Sequence, residues 1–313
     1  AAQAPTLLKP LVTMHSPLPI AVPGRTYVLP VELNNPLRAD AEIKVSLSNL
    51  PGNAPAARPS RAGRRSNEQV FSIAVPADFR SPNGDPHPMT LSYAVPATGW
   101  AGAIRVPVEA AVLVPDQAMD KRPPDVIIED DRYVTNLHEN APKRMHLNWQ
   151  GADDLSARIW LGRDATNLRL RVDFSDDRHN ANIENFGEAD SVGLVLYVPQ
   201  TKTKWLIYCA RSNRGRSLGK VLGSTRTREP PQIDVRTTPR DGGLRYDIGL
   251  PFSDLGLTDA MLAEGFRLNV IVVDRDQQER EGWIQIAPAK VPWRPNWDPS
   301  MFRTFMFDAR GKQ

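Results

Sequence analysis

The chain has 313 residues, 41% of them apolar and 24% charged, a balance that supports folded cores in two domains of ordinary size and excludes a disordered or fibrous polypeptide. Its 39 basic and 36 acidic residues leave a formal charge of +3, too shallow a bias for a nucleic-acid footprint, and no stretch approaches 18 uninterrupted apolar residues, so no membrane span is predicted. The 29 prolines and 20 glycines, spread along the chain at turn positions, favour short strands over long helices, and a lone cysteine, Cys209, excludes an intrachain disulfide.

The first residues, AAQAP, have the small-residue spacing left beside a secretory cleavage site, which predicts a secreted, periplasmic or cell-surface protein. Apolar segments then recur around 7–14, 27–33, 43–50, 70–75, 89–95 and 104–114. Between them lie the turn pairs Pro23-Gly24, Asn35-Pro36, Pro51-Gly52 and Asn83-Gly84. Strands at such intervals predict an immunoglobulin-like β-sandwich over 1–115. The basic run Arg58, Arg61, Arg64 and Arg65 has no aromatic platform on which a base could stack and reads as a solvated loop. The polar stretch 116–125, with Pro123-Pro124, reads as a linker.

Over 126–313 the period changes little. Within 167–174, Leu168, Leu170, Val172 and Phe174 alternate with Asn167, Arg169, Arg171 and Asp173, which puts one face on a core and one in water. The same period of two appears in Val192, Leu194, Leu196 and Val198, and in Leu244, Tyr246, Ile248 and Leu250, while only 258–264 reads as a helix. Cys209, among Trp205, Ile207 and Tyr208, reads as an inert core thiol. The predicted fold class is therefore all-β, with two β-sandwich domains.

The ordered series WQGADDLSARIWLGRDATNLRLRVDFSDDRHN, EADSVGLVLYV, RYDIGLPFSDLGL, GFRLNVIVVDRD and DPSMFRTFMFD resembles the family nine carbohydrate-binding modules, over about half the chain. The resemblance implies a jelly-roll sandwich in which two aromatics hold a terminal sugar ring. It carries those roles to Trp283 and to Phe186, with Gly193 standing where the family has an acidic contact. Arg214, beside Arg211 and Arg216, falls near the family's arginine, and Tyr197 shares a strand face with Gly193. Trp293 and Trp297 sit in a Pro-rich loop that offers further aromatic surface, and Trp149 and Trp160 read as core. The acidic turn supplies Asp176, Asp177 and, further on, Asp190 as hard oxygen donors suited to a structural calcium ion, with Asp274 and Asp276 as a weaker set.

Catalytic signatures are absent: there is no Gly-x-Ser-x-Gly elbow, phosphate loop or zinc helix, and the five histidines are scattered singly. The predicted function is non-catalytic binding of a polysaccharide or oligosaccharide, neutral or anionic, by an exported protein or by the accessory region of a polysaccharide-processing enzyme. A catalytic domain, in the same or another chain, would then be a partner. Two alternatives follow from the same residues: a structural or protein-interaction module that has lost the sugar site, and a haem-binding sandwich using Met145, His146, Met301 or Met306.

Overall fold

The computed structural model describes residues 12–14, 20–34, 42–51, 59–60, 68–79, 86–96, 98–134, 149, 151–176, 179, 189–225, 230–275, 282–287, 299 and 302–307. The chain divides into two compact units, Ala1–Ala111 and Val112–Gln313.

In the first unit the strands are β1 (Val12–Met14), β2 (Ile20–Ala21), β3 (Thr26–Leu33), β4 (Lys44–Ser48), β5 (Pro59–Ser60), β6 (Glu68–Ala74), β7 (His87–Val95) and β8 (Trp100–Ala110). They form two four-stranded sheets, β1-β3-β6-β5 and β2-β8-β7-β4. Among the described strands of this unit, β2 alone runs parallel to its neighbour, β8. The two sheets face each other as a β-sandwich. Alternation drives it: Leu29, Val31, Phe71 and Ile73 from one sheet and Met89, Leu91, Val106 and Val108 from the other are at most 1% exposed and form one core.

The second unit contains β9 (Val112–Val114), β10 (Val126–Ile128), β11 (Leu155–Arg163), β12 (Asn167–Asp176), β13 (Ser191–Val198), β14 (Thr203–Arg211), β15 (Ser217–Ser224), β16 (Asp234–Arg240), β17 (Gly243–Pro251), β18 (Phe266–Asp274), β19 (Gly282–Gln285) and β20 (Arg303–Phe307). One sheet has the order β10-β11-β12-β17-β16, and the other β15-β14-β13-β18-β20-β9, with β19 pairing the other half of β18. The expected strand at 167–174 is β12, where Leu168, Leu170 and Val172 are fully buried and Phe174 nearly so. At roughly 1.5–3 kcal/mol for each buried side chain, a one-residue slip in register would forfeit most of that face. The sandwich closes along β15 and β16, where the Ser217 and Thr237 hydroxyls share a 2.8 Å hydrogen bond and Gly219 packs against Ile233 and Val235. The predicted helix is present as α2 (Asp259–Glu264), its Thr258 cap accepting from Met261 N–H, after a single turn α1 (Phe252–Leu255).

Three expectations change. The domain boundary lies before Val112, not after 115, because β9 pairs in parallel with β20 of the second unit. The stretch 116–125 is no free linker. Arg122 and Asp125, 4% and 5% exposed, form a 2.6 Å ion pair, Arg122 donates to the Leu161 carbonyl, and Asp125 accepts from Leu161 N–H at 2.7 Å. The segment is thereby held to β11. Trp160 is not core: it lies on the outward face of β11, half-buried, and donates to the Arg122 carbonyl, whereas Trp149 packs against the core as expected.

Candidate functional site

The seven-stranded sheet places the residues singled out by the family resemblance on different faces. Val192, Leu194, Leu196 and Val198 enter the main core, so Ser191, Gly193, Val195 and Tyr197 face the other way. Val273 lies between Ser191 and Trp283, and Ile271 between Gly193 and Gln285. This outer face is itself buried. Val195, Ile271, Val273, Trp283 and Phe302 form a second apolar cluster, with Tyr197 and Leu206 packed against it. Beside it Asn269 donates to Gln285 (2.9 Å) and accepts from Ala287 N–H (3.1 Å).

Trp283 is 2% exposed, so the expectation of an open ring platform is corrected: the indole pairs into a strand beside Val273 and is a filler of that second layer. Tyr197 packs against the same cluster but away from the indole: it lies six residues along β13 from Ser191, the position level with Trp283, about 20 Å at the rise of an extended strand. Arg211 belongs to the opposite face, in phase with Trp205, Ile207 and Cys209, and its charge acts on the buried Tyr246. Arg214 is exposed in the turn between β14 and β15, where Gly215 N–H donates to Ser212. The predicted arginines and aromatics therefore form no single site among the described residues. Phe186, Asp177, Trp293, Trp297, Met145, His146 and Met301 lie outside the described residues; Met306 is buried in β20. Cys209 is fully buried, and that burial pushes its thiol far above the ordinary range, as expected of an inert thiol.

Asp176 and Asp190 do meet, around His179. The His179 Nδ1 lies 3.0 Å from Asp190 Oδ2 and 3.6 Å from Asp176 Oδ2, with the two carboxylate side chains 0% and 1% exposed. Asp190 Oδ1 also accepts from Arg275 N–H at 2.7 Å. Burial alone would lower the imidazole pKa, but hydrogen bonding and charge from both carboxylates outweigh it and push it up to about 9. The ring thus carries a positive charge at neutral pH between two buried carboxylates, with its centroid 6.2 Å from that of Phe174. Calcium takes six to eight oxygens and avoids imidazole nitrogen. Among the described residues, donor atoms from Asp176, His179 and Asp190 lie within 4.8 Å of one another and offer two carboxylates and a nitrogen; Asp177, the third predicted ligand, lies outside the described residues.

The second unit also carries an open cavity of about 300 Å³, where the 115–120 segment crosses the five-stranded sheet. Arg163, Arg169 and Arg171 line it with Asp116, Asp120 and an apolar floor of Met119 and Phe307. Gly162 lines it, and Gly249 packs against one of its arginines. A Cβ at Gly162 would come within 3.3 Å of Met119, and one at Gly249 within 2.5 Å of Arg169 Nη1. Arg169 donates through Nε to Asp164 (2.6 Å) and through Nη1 to Asp234 (3.2 Å), and Arg171 through Nε to Asp247 (2.7 Å). Arg163 bonds Asp259 at 3.2 Å with its guanidinium 5.2 Å from the Phe307 ring centroid. Against the upward pull of burial, the backbone N–H groups of Thr166 and Asn167 and the Arg169 side chain hold Asp164 well below the usual carboxylate range. The guanidinium forks are therefore fixed from behind. Nη2 of Arg169 and both Nη atoms of Arg171 have no acceptor among the described residues.

Sequence reading missed this site because the polar residues of a half-buried strand read as a solvated face. The available signal was the arginines in phase at 169 and 171, with Asp247 set opposite Arg171, which becomes a constellation only once the strands are paired.

No family model matches the chain, and no curated protein matches it. Among solved structures, the chain is similar to a family 9 carbohydrate-binding module from Caldicellulosiruptor kristjanssonii in complex with cellotriose (13% identity, TM-score 0.43, 64% of this chain and 95% of that one). The same organism's family 9 module in complex with glucose gives 13% identity and a TM-score of 0.42 over 65% of this chain and 97% of that one. Domains 5–6 of the S-layer protein SbsC give 9% identity and a TM-score of 0.22 over 88% and 94%. The sugars are ligands of the first two proteins.

Proposed function

We propose that the second unit binds carbohydrate without transforming it, in an exported protein or in the accessory region of a polysaccharide-processing enzyme. The observation that carries this reading is the cavity of about 300 Å³ edged by fixed guanidinium and carboxylate groups over an apolar floor. A sugar ring presents hydroxyls that each donate and accept, around an apolar face, and this volume falls at the small end of ligand pockets. Arg169 and Arg171 supply free donors, Asp116 and Asp120 supply acceptors, and Met119 and Phe307 supply the apolar wall. Glycoside cleavage would require one carboxyl held protonated as a general acid. The carboxylates behind the cavity, Asp164, Asp234, Asp247 and Asp259, are instead each engaged by an arginine, and Asp164 is held well below the usual carboxylate range.

A second reading, a structural or protein-interaction module, is favoured by the burial of Trp283 on the face where the resemblance placed a sugar. Affinity electrophoresis through gels containing single polysaccharides separates the two. The sugar reading expects retardation on at least one of them, weakened about tenfold or more by Arg171→Ala, since hydrogen bonds to a charged donor contribute about 1.5–3 kcal/mol. Unchanged mobility on every polysaccharide, charged ones included, selects the module without a sugar site.

A further inference from the structure

We infer that the glycan is acidic, a chain whose carboxylate or sulfate groups lie on the outer face of the five-stranded sheet next to the cavity. This rests on the sugar-binding reading and adds the ligand's charge and its path. Strand pairing sets out the face in rows. Trp160, Arg171, Asp247 and Arg236 lie side by side across four strands, and Arg158, Asp173, Arg245 and Thr238 form the next row. With strands about 4.8 Å apart and alternate residues about 7 Å apart, the first row is about 14 Å long, ample for several sugar residues.

The charge on this face is one-sided once its internal pairs are removed. Asp173 accepts from Arg245 through both Nε and Nη2 at 2.6 Å and also from Arg240. Asp247 is engaged by Arg171 and Asp234 by Arg169. Among the described residues, Arg158 and Arg236 are exposed and make no ion pair or side-chain hydrogen bond, and the Nη atoms of Arg171 are also unengaged. The unpaired charge in these rows is therefore cationic, and planar guanidinium groups suit carboxylate and sulfate oxygens. Half-buried Trp160, adjacent to Arg171, adds an aromatic edge at the cavity end.

A protein partner fits this surface poorly, because stable protein interfaces centre on an apolar patch. The apolar side chains in these rows are Trp160 and, at the edge, Ile127, 42% exposed. A single-stranded nucleic acid would want several aromatic plates for its bases, and the rows offer one.

The test uses the full chain in affinity electrophoresis against a neutral glucan, polygalacturonate, a sulfated dextran and single-stranded DNA, at about 50 and 500 mM salt. The inference expects retardation by polygalacturonate or the sulfated dextran at least tenfold stronger than by the glucan, weakening with salt. It also expects Arg158→Ala/Arg236→Ala to weaken the acidic ligands about tenfold while leaving any retardation by the glucan unchanged. The two acidic gels decide between carboxylate and sulfate. Equal retardation by neutral and acidic glycans, indifferent to the double substitution, overturns the charge assignment and leaves the sugar reading standing. DNA retarded as strongly as either acidic glycan marks a general polyanion surface and also overturns it. No retardation in any gel ends the sugar reading itself.

Discussion

Replacing His179 by glutamine removes the cation that holds Asp176 and Asp190 together, and the consequence depends on pH in a way the structure specifies. The imidazole pKa is pushed up to about 9 in the folded chain against 6.5 for an unperturbed histidine. A group whose folded pKa is raised stabilises the fold fully below its unfolded pKa, and that contribution vanishes as pH rises through the folded value. At about 1.4 kcal/mol per unit, the pair of carboxylates is worth about 3 kcal/mol through this proton near pH 6, about 2 at pH 7.5, and a few tenths at most near pH 9.5. The side chain is 21% exposed, so solvent screening reduces these values modestly.

Urea unfolding of wild type and His179→Gln, followed by tryptophan fluorescence at pH 6, 7.5 and 9.5, measures the difference directly. Titrations elsewhere in the chain are common to both proteins and cancel. The wild-type advantage should be largest at pH 6 and shrink by about 2–3 kcal/mol by pH 9.5. Stability curves that run parallel across this range would show that the imidazole carries no extra proton in the folded state. The ion-pair account of the cluster would then be wrong, whatever the size of the offset.

Two further outcomes follow from the packing. Gly219→Val puts a Cβ about 2.7 Å from Ile233 and Val235, so the edges of the two sheets must separate; a loss of about 1–3 kcal/mol in urea unfolding is expected, and a neutral effect would mean that the seam between β15 and β16 is loose. Arg122→Ala strands Asp125 in a site where burial already raises its carboxyl pKa against the opposing pull of Arg122, and should cost about 3–5 kcal/mol, whereas a true linker would tolerate the change with no shift in the unfolding midpoint.

The strands were legible because their signal is local. Four apolar residues in alternation at 168–174 fix both the strand and its inward face without knowledge of any neighbour. The domain boundary was not, since 104–114 reads as a single apolar run. The chain leaves the first unit at Ala111, whose N–H still bonds the Ala21 carbonyl, and re-pairs at Val112 with β20, nearly two hundred residues away in sequence. Trp283 failed for the same reason. Whether an indole on β19 is a platform or a filler depends on what covers the outer sheet face, and no local pattern records that. His179 read as one lone histidine among five, yet the turn that brings it to Asp190 makes it the counter-ion of the acidic pair the sequence did point to.

The two sheets of the second unit divide the work, and the division bears on where a ligand can sit. β13 and β18 bury nearly every residue on both faces, a condition more usual for strands in parallel sheets. Such a sheet has little surface to offer. The five-stranded sheet keeps a strict alternation, with apolar side chains inward and arginine–aspartate pairs outward, so its outer face is free of packing duties. Its ion pairs contribute little to stability at that exposure, but they hold guanidinium groups in fixed orientation and spare them the entropy of ordering when a ligand arrives. A rigid polar face beside a cavity, on the one sheet not sealed on both sides, is where recognition costs the fold least.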